Sequence, residues 1–87
     1  MIKIWQDDAW EEYLYWQSQD KKTLKRINQI LKDIDRNPYV GIGKPEQLSA
    51  ELAGFWSRRI DNKNRIVYRI KEGKIEIAQC GSHYKDK

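Results

Sequence analysis

Along residues 54–84, runs dense in Ile, Val, Tyr and Trp are separated by two polar breaks, Asp61-Asn62-Lys63-Asn64 and Lys71-Glu72-Gly73-Lys74. That pattern predicts three antiparallel strands. A two-residue turn at Glu72-Gly73 would set Ile70 opposite Ile75 and Tyr68 opposite Ile77, and period-two alternation then gathers Ile66, Tyr68, Ile70, Ile75 and Ile77 on one face. Such a face needs an apolar cover. The other face carries Arg65, Val67 and Arg69, and unbroken alternation puts Arg65 opposite Cys80, just before the tail that holds the only histidine, His83. Upstream, Ile2-Lys3-Ile4-Trp5 is long enough for a short strand paired with a late one. Asp8-Ala9-Trp10-Glu11 fits a capping box, predicting a helix with Trp10, Tyr13, Leu14 and Trp16 on its apolar side and Glu11, Glu12, Tyr15 and Gln17 toward water. Asp20 is placed to cap a second helix, in which Leu24, Ile27, Leu31 and Ile34 recur at helical spacing, and Asn37-Pro38 ends it. Residues 39–53 read as a connector with two glycines and a proline in its first half, a length often tied to function. The expected fold is α+β: an antiparallel β-sheet packed against an N-terminal helical hairpin.

A chain of 87 residues, 39% hydrophobic and 34% charged, has material for one two-layer core and one site. No apolar run approaches the roughly 20 residues of a membrane span, and the N-terminus lacks the long apolar segment of a secretory signal, so a cytoplasmic protein without a membrane partner is expected. The lone Cys80 excludes an internal disulfide and reads as an ordinary strand residue. Charge is divided unevenly. Residues 1–20 hold one lysine against five acids, a net of −4, whereas residues 21–87 hold sixteen basic residues against eight acids, a net of +8. A basic body suits a polyanion, and Lys21, Lys22, Lys25, Arg26, Lys32 and Arg36 add a polar side to the second helix that serves equally as a solvated face.

No serine–histidine–acid spacing, phosphate-cradling glycine motif or metal-ligand cluster is present, so neither a metal nor a cofactor is expected. What remains is Glu46 in the loop after Gly43-Lys44-Pro45, Arg58, Arg59, Arg65 and Arg69 on strands, and His83-Tyr84 near the end. This inventory meets the needs of RNA scission by its own 2′-hydroxyl: a base for the 2′ proton, cations for the charge on phosphorus, and an acid for the departing 5′ oxygen. Each residue also has an ordinary reading. Glu46 as a loop carboxylate, Arg58 and Arg59 as solvent-facing or edge-protecting residues, Trp56 and Tyr84 as packing aromatics and His83 as a tail residue are all open on the residues alone.

The blocks Gly43-Lys44-Pro45-Glu46, Gly54-Phe55-Trp56-Ser57-Arg58-Arg59-Ile60, Arg65-Ile66-Val67-Tyr68 and His83-Tyr84, together with residues 10–16 and the Asn37-Pro38 helix exit, resemble the Txe/YoeB family of bacterial toxins in the RelE/ParE superfamily. The likeness extends over residues 1–84, one RelE-like microbial ribonuclease domain, with 85–87 as a short basic tail. It implies a ribosome-dependent endoribonuclease that cuts translated messenger RNA in the A site and inhibits translation. By position, it makes Glu46 the general base, Arg65 the stabiliser of the scissile phosphate and His83 the general acid, with Arg59 and Tyr84 assisting and Lys44 and Arg58 as phosphate contacts. It also implies a Phd/YefM-type antitoxin as partner, repression of promoter DNA only through that complex, and room for a homodimer. Ser49 stands where a lysine is expected, and Lys85-Asp86-Lys87 extends past the tyrosine that usually ends the family. Two alternatives remain: a non-catalytic interaction protein like the superfamily's gyrase inhibitors, and a plain RNA-binding module.

Overall fold

A computed structural model describes residues 1–81. Its elements are β1 (Ile2–Trp5), α1 (Asp7–Gln19), α2 (Lys21–Arg36), β2 (Glu46–Gln47), a 3-10 turn (Ala50–Leu52), β3 (Trp56–Arg59), β4 (Arg65–Lys71) and β5 (Lys74–Gly81). The strands form one sheet in the order β1-β5-β4-β3-β2. All neighbouring pairs are antiparallel except β1 with β5, which run parallel, so the expected antiparallel sheet is in fact mixed. The two helices cover one face. Ile27, Ile30, Leu31 and Ile34 of α2 and Ala9 of α1 pack on Ile66, Tyr68, Ile75, Ile77 and Cys80, and all of these are buried.

The β4–β5 hairpin follows its turn. Glu72 and Gly73 both have positive φ, 55° and 75°, as a two-residue hairpin turn requires, and Ile70 faces Ile75. Tyr68 faces Ile77 as expected, but Val67 faces Gln79, so Ala78 is an extra residue and the strand bulges there. The bulge moves everything after it by one position. Cys80 faces Ile66 in the core, and Arg65 faces Gly81 rather than the expected Cys80. Burial pushes the Cys80 thiol up to about 12, with the Glu12 carboxylate adding to the shift, so this cysteine stays protonated and inert.

The helix ends are set by local chemistry. Asp20 accepts from the amides of Lys22 and Thr23, each at 3.1 Å, and from the Thr23 hydroxyl at 2.8 Å, which caps α2 as expected. The anticipated capping box of α1 is absent. Gln6 occupies the N-cap without a side-chain bond, and its own amide donates to Ile77 O at 2.9 Å, so the last bond of β1 to β5 fixes where the helix starts. The inward stripe of α1 is accordingly Ala9, Glu12, Tyr13 and Trp16, while Trp10 and Leu14 are 43% and 40% exposed. Trp10 instead packs with Trp5 and Tyr13 at centroid distances of 5.7 and 6.0 Å, a cluster over the β1–α1 junction.

Candidate functional site

Period-two alternation along β3 and β4, together with the observed register, places Ser57 and Arg59 of β3 and Arg65, Val67 and Arg69 of β4 on the face turned away from the helices. β2 adds Glu46, which lies opposite Ser57. Residues 46 and 65 are distant in sequence, yet Glu46 Oε1 lies 3.7 Å from Arg65 Nη1. The same nitrogen donates to Ser57 Oγ at 3.2 Å, so a fully buried hydroxyl props the guanidinium from below. The Glu46 side chain is 63% exposed and open to a ligand. Arg59 is exposed and paired across the strands with Arg65, and it shares a shallow depression with Lys44, Arg26 and Asp61.

The turn that delivers Lys44-Pro45-Glu46 is pinned to β3. Gly43 O accepts from the Arg59 amide at 2.6 Å, and Lys44 itself sits at φ 53°, a left-handed angle that side chains seldom adopt and that the neighbouring bonds must hold. Beyond Arg65 on the same face, Arg69 Nε donates to Glu76 Oε1 at 2.6 Å and its guanidinium lies 4.8 Å from the Phe55 ring centroid. Gln6 and then Arg69 hold the Glu76 carboxyl below its ordinary value. Arg69 is therefore already partnered, which leaves Arg59 and Arg65 as the better placed cations for an incoming anion.

Arg58 corrects the expectation of a phosphate contact. Its side chain points to the opposite face and is fully buried. Every guanidinium N–H is used: Nε to Tyr68 OH at 3.2 Å, Nη1 to Asp33 Oδ2 at 2.6 Å and to Ile42 O at 3.2 Å, and Nη2 to Asn37 O and to Val40 O at 3.0 Å. Tyr68 OH donates onward to Pro38 O. Arg58 thus stitches the segment that leaves α2 onto the sheet, and no donor remains for RNA. Trp56 shares this face, half-buried and 4.9 Å from Tyr39. His83 and Tyr84 lie outside the described residues, as does the tail 85–87.

Two polar residues were missed in the sequence. Ser57 and Gln79 are buried on the site face, opposite Val67 from either side, and only the register across three strands identifies them. Glu12, expected toward water, is turned onto β5. Among the described residues, no three His, Cys, Asp or Glu side chains converge as a metal site requires, and no helix is long and apolar enough to cross a membrane.

Comparison with known proteins gives a consistent result. Residues 5–84 match the model of the YoeB-like toxins of bacterial type II toxin-antitoxin systems. Toxin YoeB of Escherichia coli strain K12 is 48% identical over 84 residues, covering 97% of this chain and all of that protein. The fold is similar to a YoeB/ParE toxin from Agrobacterium tumefaciens, with a TM-score of 0.93 at 38% identity over 97% of this chain and 100% of that one. It is also similar to YoeB in a heterotetrameric YoeB-YefM complex from Staphylococcus aureus, with a TM-score of 0.90 at 46% identity over 97% and 98% of the two chains.

Proposed function

Because the chain belongs to the YoeB-like toxins of bacterial type II toxin-antitoxin systems, we propose that it stops translation by cutting messenger RNA on the ribosome. The observation that carries this reading is the meeting of Glu46 and Arg65, 3.7 Å apart on different strands and beside the exposed Arg59. An exposed carboxylate next to a braced guanidinium is the pairing that 2′-hydroxyl attack on phosphorus uses.

In the proposed reaction Glu46 takes the 2′ proton and the 2′ oxygen forms a bond to phosphorus. Arg65, with Arg59, bears the negative charge that builds on the phosphate oxygens, and Lys44 holds a neighbouring phosphate. The bond to the 5′ oxygen breaks as His83 gives it a proton, with Tyr84 assisting. The products are a 2′,3′-cyclic phosphate, or the 3′-phosphate after its opening, and a 5′-hydroxyl. Because Ser57 fixes the Arg65 guanidinium before RNA arrives, little reorganisation is left for the transition state.

The related YoeB of S. aureus occurs in a complex with YefM and as a dimer. For this chain we assign an antitoxin of the same type, with an acidic segment that folds over Arg59 and Arg65 and excludes RNA. The net charge of +8 over residues 21–87 supports such a partner. The toxin–antitoxin complex, rather than the toxin alone, would repress its own promoter.

Primer extension on translated messenger RNA with purified ribosomes tests the assignment. Wild-type protein should give discrete stops within the A-site codon. Glu46→Gln and Arg65→Ala should each reduce them by about 100- to 10,000-fold while melting like wild type. Wild-type cutting by either variant would remove that residue from the mechanism.

A further inference from the structure

On the face turned away from the helices, the strand register sorts side chains into rows. Arg59 lies beside Arg65, and in the next row Ser57 lies between Val67 and Glu46. The row after that has no assigned task. It holds Arg69 of β4 with Glu76 of β5 on one side and, one further step along the β3–β4 register, Phe55 on the other. Four residues separate Arg65 from Arg69, about 13 Å of strand, so an RNA phosphate held at Arg65 leaves a nucleotide one or two places along over this row.

A chain of contacts fixes the Arg69 guanidinium. Gln6 Nε2 donates to Glu76 Oε2 at 2.8 Å, Arg69 Nε donates to Glu76 Oε1 at 2.6 Å, and the guanidinium carbon lies over the Phe55 ring, 4.8 Å from its centroid. The bond to Glu76 takes the Nε edge and leaves the plane, and 34% of the Arg69 side chain stays exposed. A phosphate is poorly served here, because the Glu76 carboxylate already compensates the charge and repels a second anion. A nucleobase is well served: it is uncharged and flat, and bases stack on guanidinium planes as they do on aromatic rings. We propose that Arg69, backed by Phe55 and held by Glu76, is a stacking platform for a base of the RNA close to the scissile phosphate. The inference rests on the reading of Glu46 and Arg65 as a ribonuclease site. Holding the plane in advance spares the binding step the cost of ordering a long, flexible side chain.

The test uses messenger RNA on programmed ribosomes, with the attacking 2′-hydroxyl methylated so that no strand is cut. 2-Aminopurine, a base whose fluorescence falls on stacking, replaces each nucleotide around the A-site codon in turn. Wild-type protein should quench it at one position. Arg69→Lys, which keeps the charge but lacks the plane, should lose that quenching and bind about 5- to 20-fold more weakly, the lower part of the range for one stacked base. Glu76→Ala should weaken the quenching although it removes a negative charge, because the guanidinium is no longer held. In single-turnover cleavage of unmethylated RNA, removing the base at that position should cost as much as Arg69→Lys, and the two changes together should cost no more than either. Quenching that is absent in wild type, or that survives Arg69→Lys, at every position would overturn the proposal. So would tighter RNA binding by Glu76→Ala with quenching intact, the mark of a phosphate contact, or equal slowing by Arg69→Lys with and without the base, the mark of a structural role. If quenching depends on Arg69 while wild-type protein leaves unmethylated RNA uncut, the platform stands and the ribonuclease reading falls.

Discussion

Arg58 and Arg59 are consecutive in the chain and opposite in everything else. Arg58 is sealed beneath the sheet with all its donors used inside the protein, while Arg59 is exposed next to Arg65. One peptide bond separates a structural cation from a candidate RNA contact. Positive charge alone cannot assign a role on a strand, since alternation sends neighbours to different solvents. A guanidinium suits both places because it can satisfy five acceptors when buried and grip a phosphate when free.

The largest effect should come from the buried member. Arg58→Met removes a charge whose partners stay behind, leaving Asp33 and several carbonyls of residues 37–42 without their donor, and should cost about 3–5 kcal/mol in urea unfolding. A loss of under 1 kcal/mol would show that the segment re-forms its bonds with water. Gly41→Ala attacks the same junction, since Gly41 has φ 131° and a Cβ would lie 1.9 Å from Asp33 Oδ2. It should destabilise less than Arg58→Met, as the loop can move away.

Acid sharpens the comparison. The hydrogen bond from Arg58, followed by that from the Ile42 amide, holds the Asp33 carboxyl below its ordinary value of 3.8. A carboxyl lowered on folding contributes stability that is complete above 3.8 and is lost as pH falls through the lower folded value. Unfolding midpoints should therefore drop as pH falls below about 4, and the drop should be smaller in Arg58→Met than in wild type. Equal drops would assign the acid sensitivity to other carboxylates, such as Asp61 or Glu76, which are also lowered. The smallest structural effect belongs to Arg59→Ala, within about 0.5 kcal/mol of wild-type stability, yet it should slow RNA cleavage. Unchanged cleavage would leave Arg65 as the principal cation of the face.

How far the sequence reveals this arrangement depends on which interaction sets each feature. Local signals served well: Asp20 at the cap of α2, Asn37-Pro38 at its end, and Glu72-Gly73 in the hairpin turn, which fixes the register from Ile70 back to Tyr68. Beyond Tyr68 the register departs from simple alternation, because nothing in the residues around Ala78 marks the bulge. Strand β2 spans only Glu46–Gln47, too short for any periodicity, so the approach of Glu46 to Arg65 was open to resemblance but not to pattern. Arg58 was misjudged although parity held the answer. Trp56 pairs with Tyr68, a core residue, and position 58 shares its face. In α1 two apolar stripes compete, and the bonds of Glu12 and Trp16 to Cys80 decide between them through a contact 64 to 68 residues away.

The bulge at Ala78 also bears on how the chain tolerates length change. Strands are ordinarily the worst place to gain or lose a codon, because a single-residue indel inverts every side chain beyond it. In β5 such an insertion is already absorbed. Deleting Ala78 would restore straight pairing with Ile77 and Cys80 still inward and Gln79 and Gly81 still outward, at the cost of the local twist. Deleting a residue from β4, where no extra position exists, would instead exchange Arg65 or Val67 for core residues. Length variation among relatives should therefore collect at position 78 and spare β4, and a gap placed there in an alignment marks a change in strand twist rather than a break in the sheet.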